Sequence, residues 1–244
     1  IIDGNNNLHR AYHKYSGMKS KAGESSSIIY GFPLIIGGLL KRFNPDDAII
    51  AFDGGRNEHR LKLLPTYKAR ERRLDFDVES FDSQCIIARD LMTALKLKTV
   101  KIPGQEADDL IYLLVRAYKK LGYDNIIIVS RDKDFRQLIT TKVSIWVVTD
   151  DVRVTHKNIV STYGTTPKQS LDYLIMDGDK SDKIPGLPGF GEKTIKEFLS
   201  RYSSIENYLN SNEQFRKLDR NKLEATYKLN LELIGIKHFV KKHL

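Results

Sequence analysis

Hydrophobic residues along the chain form short apolar runs that alternate with longer segments of helical spacing. The short runs predict buried strands at 1–2, 47–52, 99–102, 125–129 and 143–148. Apolar positions three or four residues apart predict helices at 8–12, 28–43, 81–95, 106–121 and 135–139. Strands that alternate with helices indicate an α/β fold with a largely parallel sheet. Beyond about residue 165 the strand pattern fades, so we divide the chain into an α/β domain, 1–175, and a helical region, 176–244.

Composition is that of a folded, water-soluble protein, with 41% hydrophobic and 29% charged residues in 244. No apolar run approaches the roughly 18 residues of a membrane span, and no signal peptide is evident. Cys85 is the single cysteine, which excludes an intramolecular disulfide and fits a cytoplasmic location. The net charge of +9 suggests an anionic partner, of which nucleic acid is the commonest.

Acidic residues stand repeatedly where a predicted strand or helix ends. Any one of them could be a turn residue or a helix cap. Ligand sites in open parallel sheets, however, form beyond the carboxyl ends of the strands. Nine carboxylates meeting there would repel one another unless cations neutralised them, and hard oxygen ligands suit Mg²⁺ or Mn²⁺. The nine are Asp3, Asp53, Glu106, Asp108, Asp109, Asp132, Asp134, Asp179 and Asp182.

A site made of carboxylates in a basic protein suggests phosphodiester hydrolysis with two metal ions. We find no convincing Ser/His/Asp triad and no phosphate-binding Walker loop. The glycines between 186 and 191 follow no strand, so they do not form a dinucleotide-binding fingerprint. Residues 56–73 carry seven Lys or Arg and two Glu, a net charge of +5 that favours contact with a phosphate backbone.

Five motifs, in this order along the chain, resemble the 5′-nuclease superfamily, which includes the 5′-nuclease domain of bacterial DNA polymerase I and the phage flap endonucleases. They are Ile-Asp-Gly-Asn at 2–5, Gly-Gln-Glu-Ala-Asp-Asp at 104–109, Ser-Arg-Asp-Lys-Asp at 130–134, Gly-Asp-Lys-Ser-Asp at 178–182, and the Gly/Pro-rich segment 184–194. The resemblance implies a PIN-like core, in which helices flank a mostly parallel central sheet. It also implies a helical arch at about 56–85 and a C-terminal helix–hairpin–helix of the H3TH type at about 184–199.

The resemblance further implies two divalent metal sites, occupied by Mg²⁺ or Mn²⁺. The first would be formed mainly by Asp3, Asp53, Glu106, Asp108 and Asp109. Asp132 and Asp134 would lie between the two sites, and Asp134 is also expected to be essential for catalysis. Asp179 and Asp182 would belong to the second site.

Cationic and aromatic residues in the matching motifs are expected to contact DNA. Lys68 corresponds to the family's active-site lysine, and Arg10 would contact the same scissile phosphate. Either Arg70 or Arg72 would be the partner of Lys68. Tyr67 would stack on a base, although core packing is an equally good interpretation.

The segment 184–194 is expected to bind the duplex backbone without reading its sequence. Its glycines would let the main chain approach a phosphate, its main-chain carbonyls could hold a K⁺ ion, and the following helix would add donors and charge. Residues 205–244 either pack on the core or extend this surface. The DNA-binding residues expected here are Gly186, Gly189, Gly191, Lys193 and Thr194.

The sequence therefore predicts a metal-dependent, structure-specific 5′ nuclease, acting as a flap endonuclease and 5′-3′ exonuclease in primer or flap removal during replication. The expected partners are DNA with 5′ flaps, overhangs or RNA primers, bound by a monomer without a membrane. The alternatives are an RNase H-type exonuclease acting mainly on RNA–DNA hybrids and a non-catalytic junction-binding protein. Because the chain begins within a predicted strand, we expect a preceding segment, and the lack of a polymerase domain favours a stand-alone, phage-like protein.

Overall fold

The computed structural model describes residues 1–69 and 77–244, which form a six-stranded sheet in the order β3-β2-β1-β4-β5-β6. The first five strands run parallel, and β6 is antiparallel to β5. The mostly parallel α/β fold predicted from the sequence is confirmed. The strands are β1 (Ile2–Asp3), β2 (Ile49–Phe52), β3 (Lys98–Lys101), β4 (Ile126–Val129), β5 (Val143–Val147) and β6 (Val152–Val154).

Helices cover both faces of the sheet and make up the C-terminal part of the chain. Among the described residues, none of them is both long enough and apolar enough to cross a membrane. They are α1 (Gly4–Lys14), α2 (Ser27–Phe43), α3 (Glu58–Leu63), α4 (Val78–Ala94), α5 (Ala107–Lys120), α6 (Ile159–Tyr163), α7 (Pro167–Asp177), α8 (Glu192–Tyr202), α9 (Ile205–Leu209), α10 (Arg220–Ile234) and α11 (Ile236–His243), with a 3-10 helix at Lys133–Leu138.

Three short elements differ from the predicted pattern. The strand β6 and the helix α3 were not predicted, because three to six residues are too few to show a period. Residues 133–138 form a 3-10 helix whose N-terminus is capped by Asp132, where the sequence predicted an α-helix start at 135. The predicted arch, 56–85, contains α3 and the beginning of α4, and the residues between 70 and 76 lie outside the described part of the chain.

Alternation along the central strands builds two separate hydrophobic layers. In β2, Ile50 and Phe52 pack in the layer beneath α1, α2 and α4, whereas Ala51 packs in the layer beneath α5. Residues of α7 to α10 form a third apolar cluster around Phe198 and Tyr208. Residues 205–244 therefore pack on the body of the protein, which was one of the two possibilities left open by the sequence.

The centre of the sheet brings the ends of β1, β2 and β4 together. The strand order reverses at β1, so a crevice opens between the carboxyl ends of β1 and β4. Gly4 lets α1 begin directly against β2, since a Cβ atom there would lie 2.4 Å from the ring of Phe52. Asp3, at the end of β1, is thereby fixed at the mouth of this crevice.

Candidate active site

Asp3 occupies the centre of the crevice, with both carboxylate oxygens held by neighbouring groups. Its Oδ1 accepts from the backbone N–H of Asn6 at 3.0 Å, and its Oδ2 accepts from the Ser130 hydroxyl at 2.7 Å. Burial is the main cause that raises the pKa of Asp3 to about 7, and the charges of Asp132 and Asp53 raise it further. Without a bound cation, the protein therefore destabilises the ionised form of Asp3.

Asp53 and Asp108 extend the cluster from β2 and α5. Asp53 Oδ1 accepts from the backbone N–H of Ala107 at 2.7 Å, which anchors the start of α5 at the end of β2. Asp108 lies in the first turn of that helix and is half-buried. Burial and then the charges of Asp132, Asp3 and Asp53 raise the pKa of Asp108 well above its ordinary value.

Asp132 and Asp134 follow β4 on the other side of Asp3. Asp132 Oδ1 accepts from the backbone N–H of Asp134 at 2.8 Å, so the two side chains are held by one turn of backbone. Burial raises the pKa of both carboxyls, and Asp179 adds to the rise in each. Asp132 also raises the pKa of Asp3, Asp108, Asp134 and Asp182, so its carboxylate acts on members of both sides of the cluster.

Asp179 and Asp182 reach the cluster from the loop that follows α7. Asp179 Oδ1 accepts from the Ser181 backbone at 2.7 Å and from its hydroxyl at 2.6 Å. Burial works against ionisation, but the Ser181 bonds and Lys133, 3.3 Å away, lower the pKa of Asp179. The pKa of Asp182 is raised by burial and by Asp179, although Lys68 lowers it.

These seven carboxylates form two groups that share a member. Asp3, Asp53, Asp108 and Asp132 act on one another electrostatically at the ends of β1, β2 and β4. Asp132 also belongs to the second group, with Asp134, Asp179 and Asp182. Oxygen ligands with unfavourable mutual repulsion are the donor set that divalent cations such as Mg²⁺ and Mn²⁺ stabilise, so the residues fit the predicted cofactors.

Glu106, whose metal ligation stays a prediction, accepts hydrogen bonds from Lys68 and Tyr67, forms an ion pair with Arg60, and lies next to the carboxylate groups. Its Oε2 lies 2.8 Å from Lys68 Nζ, 2.9 Å from the Tyr67 hydroxyl and 3.1 Å from Arg60. Burial would raise the pKa of Glu106, but Lys68 and Arg60 outweigh it and lower the pKa. Asp53, Tyr67, Lys68 and Glu106 line a cleft of about 220 Å³, into which a substrate group could enter.

Tyr67 is a core residue in the structure. Its side chain is buried, with 4% exposed, and its hydroxyl donates to Glu106. This burial favours core packing for Tyr67, and its stacking on a base stays a prediction.

Asp109 differs from the prediction. Arg60 donates to both of its carboxylate oxygens, at 2.8 and 3.0 Å, and both side chains are almost completely buried. The ring of Phe239 lies against the guanidinium, with its centroid 3.9 Å from the Arg60 Cζ atom. With both oxygens engaged by Arg60, Asp109 is an anchor for α3 and is not placed as a metal ligand.

Of the cations predicted to act at the site, Lys68 is the one that the described part of the chain brings to the carboxylates. Lys68 lies within the cluster, near Glu106, Asp108 and Asp182. Arg10 on α1 is half-buried, and the groups that raise its pKa against burial are Tyr15 and Asp151, neither of which belongs to the carboxylate cluster. Its contact with a phosphate stays a prediction. Arg70 and Arg72 lie outside the described residues.

The segment between α7 and α8 forms the predicted hairpin. The backbone N–H of Leu187 donates to the Met176 carbonyl at 2.8 Å, and Gly186 packs so closely that a Cβ would lie 2.2 Å from the Asp177 carbonyl oxygen. Gly186 is thus required inside the hairpin. A Cβ atom added at Gly189 (φ +79°) or at Gly191, before α8, would meet no other described atom within 4 Å, so the space beside these glycines is open.

Two residues at the start of α8 complete the predicted DNA-binding set. Lys193 is exposed, and the Thr194 hydroxyl accepts from Arg216 at 3.4 Å. Both are accessible from the open side of the hairpin. Their contact with DNA remains a prediction.

Three contributors to the site were missed by sequence reasoning. Arg60 was counted with the exposed basic stretch, although only 2% of its side chain is accessible. Ser130 and Lys133 lie within a quoted motif but were given no role. Serine directly after a buried strand was a usable signal for Ser130, whereas the buried position of Arg60 depends on tertiary packing.

The parallel sheet, with a cluster of carboxylates where its strand order reverses, defines the class of protein, and comparison with known proteins identifies the family. Residues 1–164 match the model of the 5′-3′ exonuclease N-terminal resolvase-like domain, and residues 165–241 match that of the 5′-3′ exonuclease C-terminal SAM fold. The chain belongs to the 5′-3′ exonuclease family and is a nuclease of that class. The resemblance to the 5′-nuclease superfamily is confirmed.

Individual relatives agree with this assignment. The chain is 34% identical to a 5′-3′ exonuclease of Buchnera aphidicola over 219 residues, which covers 89% of this chain and 75% of the relative. It is 32% identical to DNA polymerase I of Mycobacterium bovis over 86% of this chain but only 24% of the polymerase. Bacteriophage T5 flap endonuclease, solved with DNA and metal ions, has the same fold, with a TM-score of 0.82 and 23% identity over 98% of this chain and 89% of that protein.

Proposed function

We propose that this protein is a metal-dependent, structure-specific 5′ nuclease that hydrolyses phosphodiesters near junctions of single-stranded and duplex DNA. One observation carries the proposal: seven carboxylates from β1, β2, β4, α5 and the loop after α7 meet around Asp132, with Lys68 beside them. Such an arrangement is suited to metal-assisted hydrolysis of a phosphodiester and needs no protein nucleophile.

Two divalent ions would be held by the two carboxylate groups. Asp3, Asp53 and Asp108 would hold the first, Asp134, Asp179 and Asp182 the second, and Asp132 would lie between them. Bound there, divalent ions supply a water molecule of lowered pKa and neutralise charge on the phosphate oxygens. Mg²⁺ and Mn²⁺ match this oxygen donor set.

Lys68 would position the scissile phosphate and stabilise its developing negative charge. Its ammonium group is held by Glu106 at 2.8 Å, and its backbone N–H donates to the carbonyl of Asp182 at 3.0 Å. The pKa of Lys68 is raised despite burial, because Tyr67, Asp108 and Glu106 favour the charged form. Lys68 therefore stays protonated and acts as a fixed positive charge at the mouth of the cleft.

The hairpin between α7 and α8 would bind the duplex on the same side of the molecule as the loop that carries Asp179 and Asp182. Open main chain at Gly189 and Gly191, an exposed Lys193 and the uncapped start of α8 offer donors to phosphate oxygens. The likeness to T5 flap endonuclease with DNA and metal ions supports this placement. A K⁺ ion on the carbonyls of this hairpin remains part of the proposal.

Removal of RNA primers or 5′ flaps during replication is the role that fits the DNA polymerase I relatives. The chain spans only 24% of that polymerase, so the role rests on the shared nuclease segment. An enzyme acting mainly on RNA–DNA hybrids would use the same carboxylates. The two enzymes differ in their preferred substrate. We also propose that the protein acts on DNA as a monomer.

A 5′-labelled DNA flap, incubated with Mg²⁺ or with EDTA, tests the proposal. Cleavage near the junction with Mg²⁺ and none with EDTA is expected, and product lengths separate endonuclease from exonuclease action. A matched RNA-primed duplex measures the preference for hybrids. Cleavage that is equally fast in EDTA would refute the metal-dependent mechanism.

Asp134→Asn and Lys68→Met separate chemistry from binding. Both variants should lose cleavage by a factor of at least about 100 while binding the flap with nearly unchanged affinity. Asp124→Asn is the matched control, because Asp124 is exposed and pairs with Lys142 at the other end of the sheet. If Asp134→Asn cut the flap at the wild-type rate, the assignment of Asp134 to the reaction would be wrong.

A further inference from the structure

A second group of metal-ligating side chains lies where α3, α10 and α11 meet. His59, Glu232 and His243 each offer one ligand atom, and these atoms all lie within 4.8 Å of one another. None of the three belongs to the carboxylate groups described above. Two histidine nitrogens and one carboxylate oxygen suit Zn²⁺ and related transition metals, whereas Mg²⁺ is usually bound by oxygen ligands.

The distances fit one ion. His243 Nε2 lies 3.2 Å and His59 Nε2 lies 3.8 Å from the same oxygen, Glu232 Oε2. Bonds of about 2.0–2.1 Å place two ligands of a tetrahedral zinc ion about 3.3 Å apart. Two of the three pairs are within about 0.5 Å of this spacing, and the two histidine ligand atoms lie within 4.8 Å of each other.

The ring nitrogen of His59 is an independent sign of a missing partner. Nε2 of His59 is buried and has no hydrogen-bond partner among the described residues. The rings of His59 and His243 lie 3.9 Å apart, and Nε2 of each is within 4 Å of Glu232 Oε2. A buried, unpartnered nitrogen costs free energy, which a bound metal ion would remove.

The other carboxylate oxygen of Glu232 is held by different groups. His238 Nε2 lies 2.8 Å from Oε1, and the Lys242 ammonium also binds Oε1. These contacts fix the carboxylate while leaving Oε2 to the two histidines. Hydrogen bonds to the second oxygen of a carboxylate ligand are a usual support for a metal site.

We propose that His59, Glu232 and His243 bind one transition-metal ion of the Zn²⁺ class, with water as the fourth ligand. The ion ties α3 to α10 and α11. His59 precedes Arg60, which holds Asp109 and Glu106, and Phe239 of α11 lies against both His59 and Arg60. The ion is a structural brace behind the active site, and the proposal is independent of the proposed nuclease mechanism.

Calorimetric titration of the full chain with Zn²⁺, in a large excess of Mg²⁺, tests this site. The excess Mg²⁺ occupies the carboxylate groups, so one further Zn²⁺ should bind tightly. His59→Asn and His243→Asn should each weaken that binding at least tenfold, because even loss of a supporting group costs roughly 10- to 100-fold in metal affinity. Asp134→Asn and the exposed control His156→Asn should bind Zn²⁺ like the wild type.

Co²⁺ provides a second measurement on the same variants. Its absorption bands report nitrogen ligation in a tetrahedral site, and they should disappear in His243→Asn and persist in Asp134→Asn. His243 is outside the hydrophobic clusters, with 21% of its side chain exposed, so its replacement leaves the core intact, and His59→Asn is an independent check. Zn²⁺ affinity unchanged in both histidine variants, or lost in Asp134→Asn, would overturn the proposal.

Discussion

Arg60 and Asp109 form a buried ion pair whose removal should cost a large part of the protein's stability. Arg60 donates to both Asp109 oxygens, at 2.8 and 3.0 Å, and lies 3.1 Å from Glu106. The accessible fractions of the Arg60 and Asp109 side chains are 2% and 0%, so water cannot replace a lost partner. Arg60→Met would leave Asp109 as an unpaired buried carboxylate.

The expected loss follows from the cost of breaking such a pair. Removing one partner of a buried ion pair costs about 3–5 kcal/mol, against a total stability of about 5–15 kcal/mol for a protein domain. Asp109→Leu should cost less, because the guanidinium keeps Glu106 as a partner at 3.1 Å. The double variant should recover about 2 kcal/mol of the summed loss, since neither charge is then left alone. Arg60→Lys keeps the charge but loses the two-pronged contact, and should cost about 2 kcal/mol.

Urea unfolding of the wild type and these four variants, in the presence of a chelator, measures these free energies. The exposed pair Arg201–Glu213 serves as the control, with a coupling expected below about 0.5 kcal/mol. If Arg60→Met cost less than about 1 kcal/mol, or if the two single losses simply added, the pair would not be a structural anchor. Asp109 would then be free to act as a ligand, as the sequence predicted.

Three further predictions concern single side chains. The pKa of Asp3 in the folded, metal-free protein is about 7, above its ordinary 3.8, so the folded state holds this proton more tightly than the unfolded state does. The free energy of unfolding should therefore fall as pH rises from about 4 to about 7. In Asp3→Asn, the urea midpoint should fall less steeply over the same pH range. Tyr67→Phe removes the buried hydrogen bond to Glu106 and should cost about 1.5 kcal/mol in the same assay. Lys183 has φ +61°, a region that Asn adopts more easily, so Lys183→Asn should raise the unfolding temperature through a gain of roughly 0.5 kcal/mol.

Each of these expectations has a contrary outcome. An Asp3→Asn variant with the same pH dependence as the wild type would mean that other carboxyls cause the fall in stability. A Tyr67→Phe variant of wild-type stability but weakened DNA binding would restore Tyr67 to the DNA surface. A lower unfolding temperature for Lys183→Asn would mean that the lysine side chain makes a contact that outweighs its backbone strain.

The acids that end strands could be predicted because a parallel sheet collects the ends of its strands at one edge. Asp3 and Asp53 meet there for that reason alone, and the order of the motifs added the remaining members. Asp108 and Asp109 could not be told apart in this way. Successive residues of an α-helix point about 100° apart, so only one of them can face the cluster, and the sequence does not show which. Here Asp108 faces it, while Asp109 turns to Arg60.

The basic segment 56–69 contains both exposed and buried cations, which a charge count does not distinguish. Arg56 and Lys62 are exposed, whereas Arg60 and Lys68 point inward and hold Glu106. The same short stretch therefore supplies a surface for phosphates and the inner wall of an acidic cleft. Removing Lys62 should reduce the salt dependence of DNA binding with little effect on stability, because only exposed cations release counterions on binding. Removing Arg60 should do the reverse, because its charge is already neutralised within the protein.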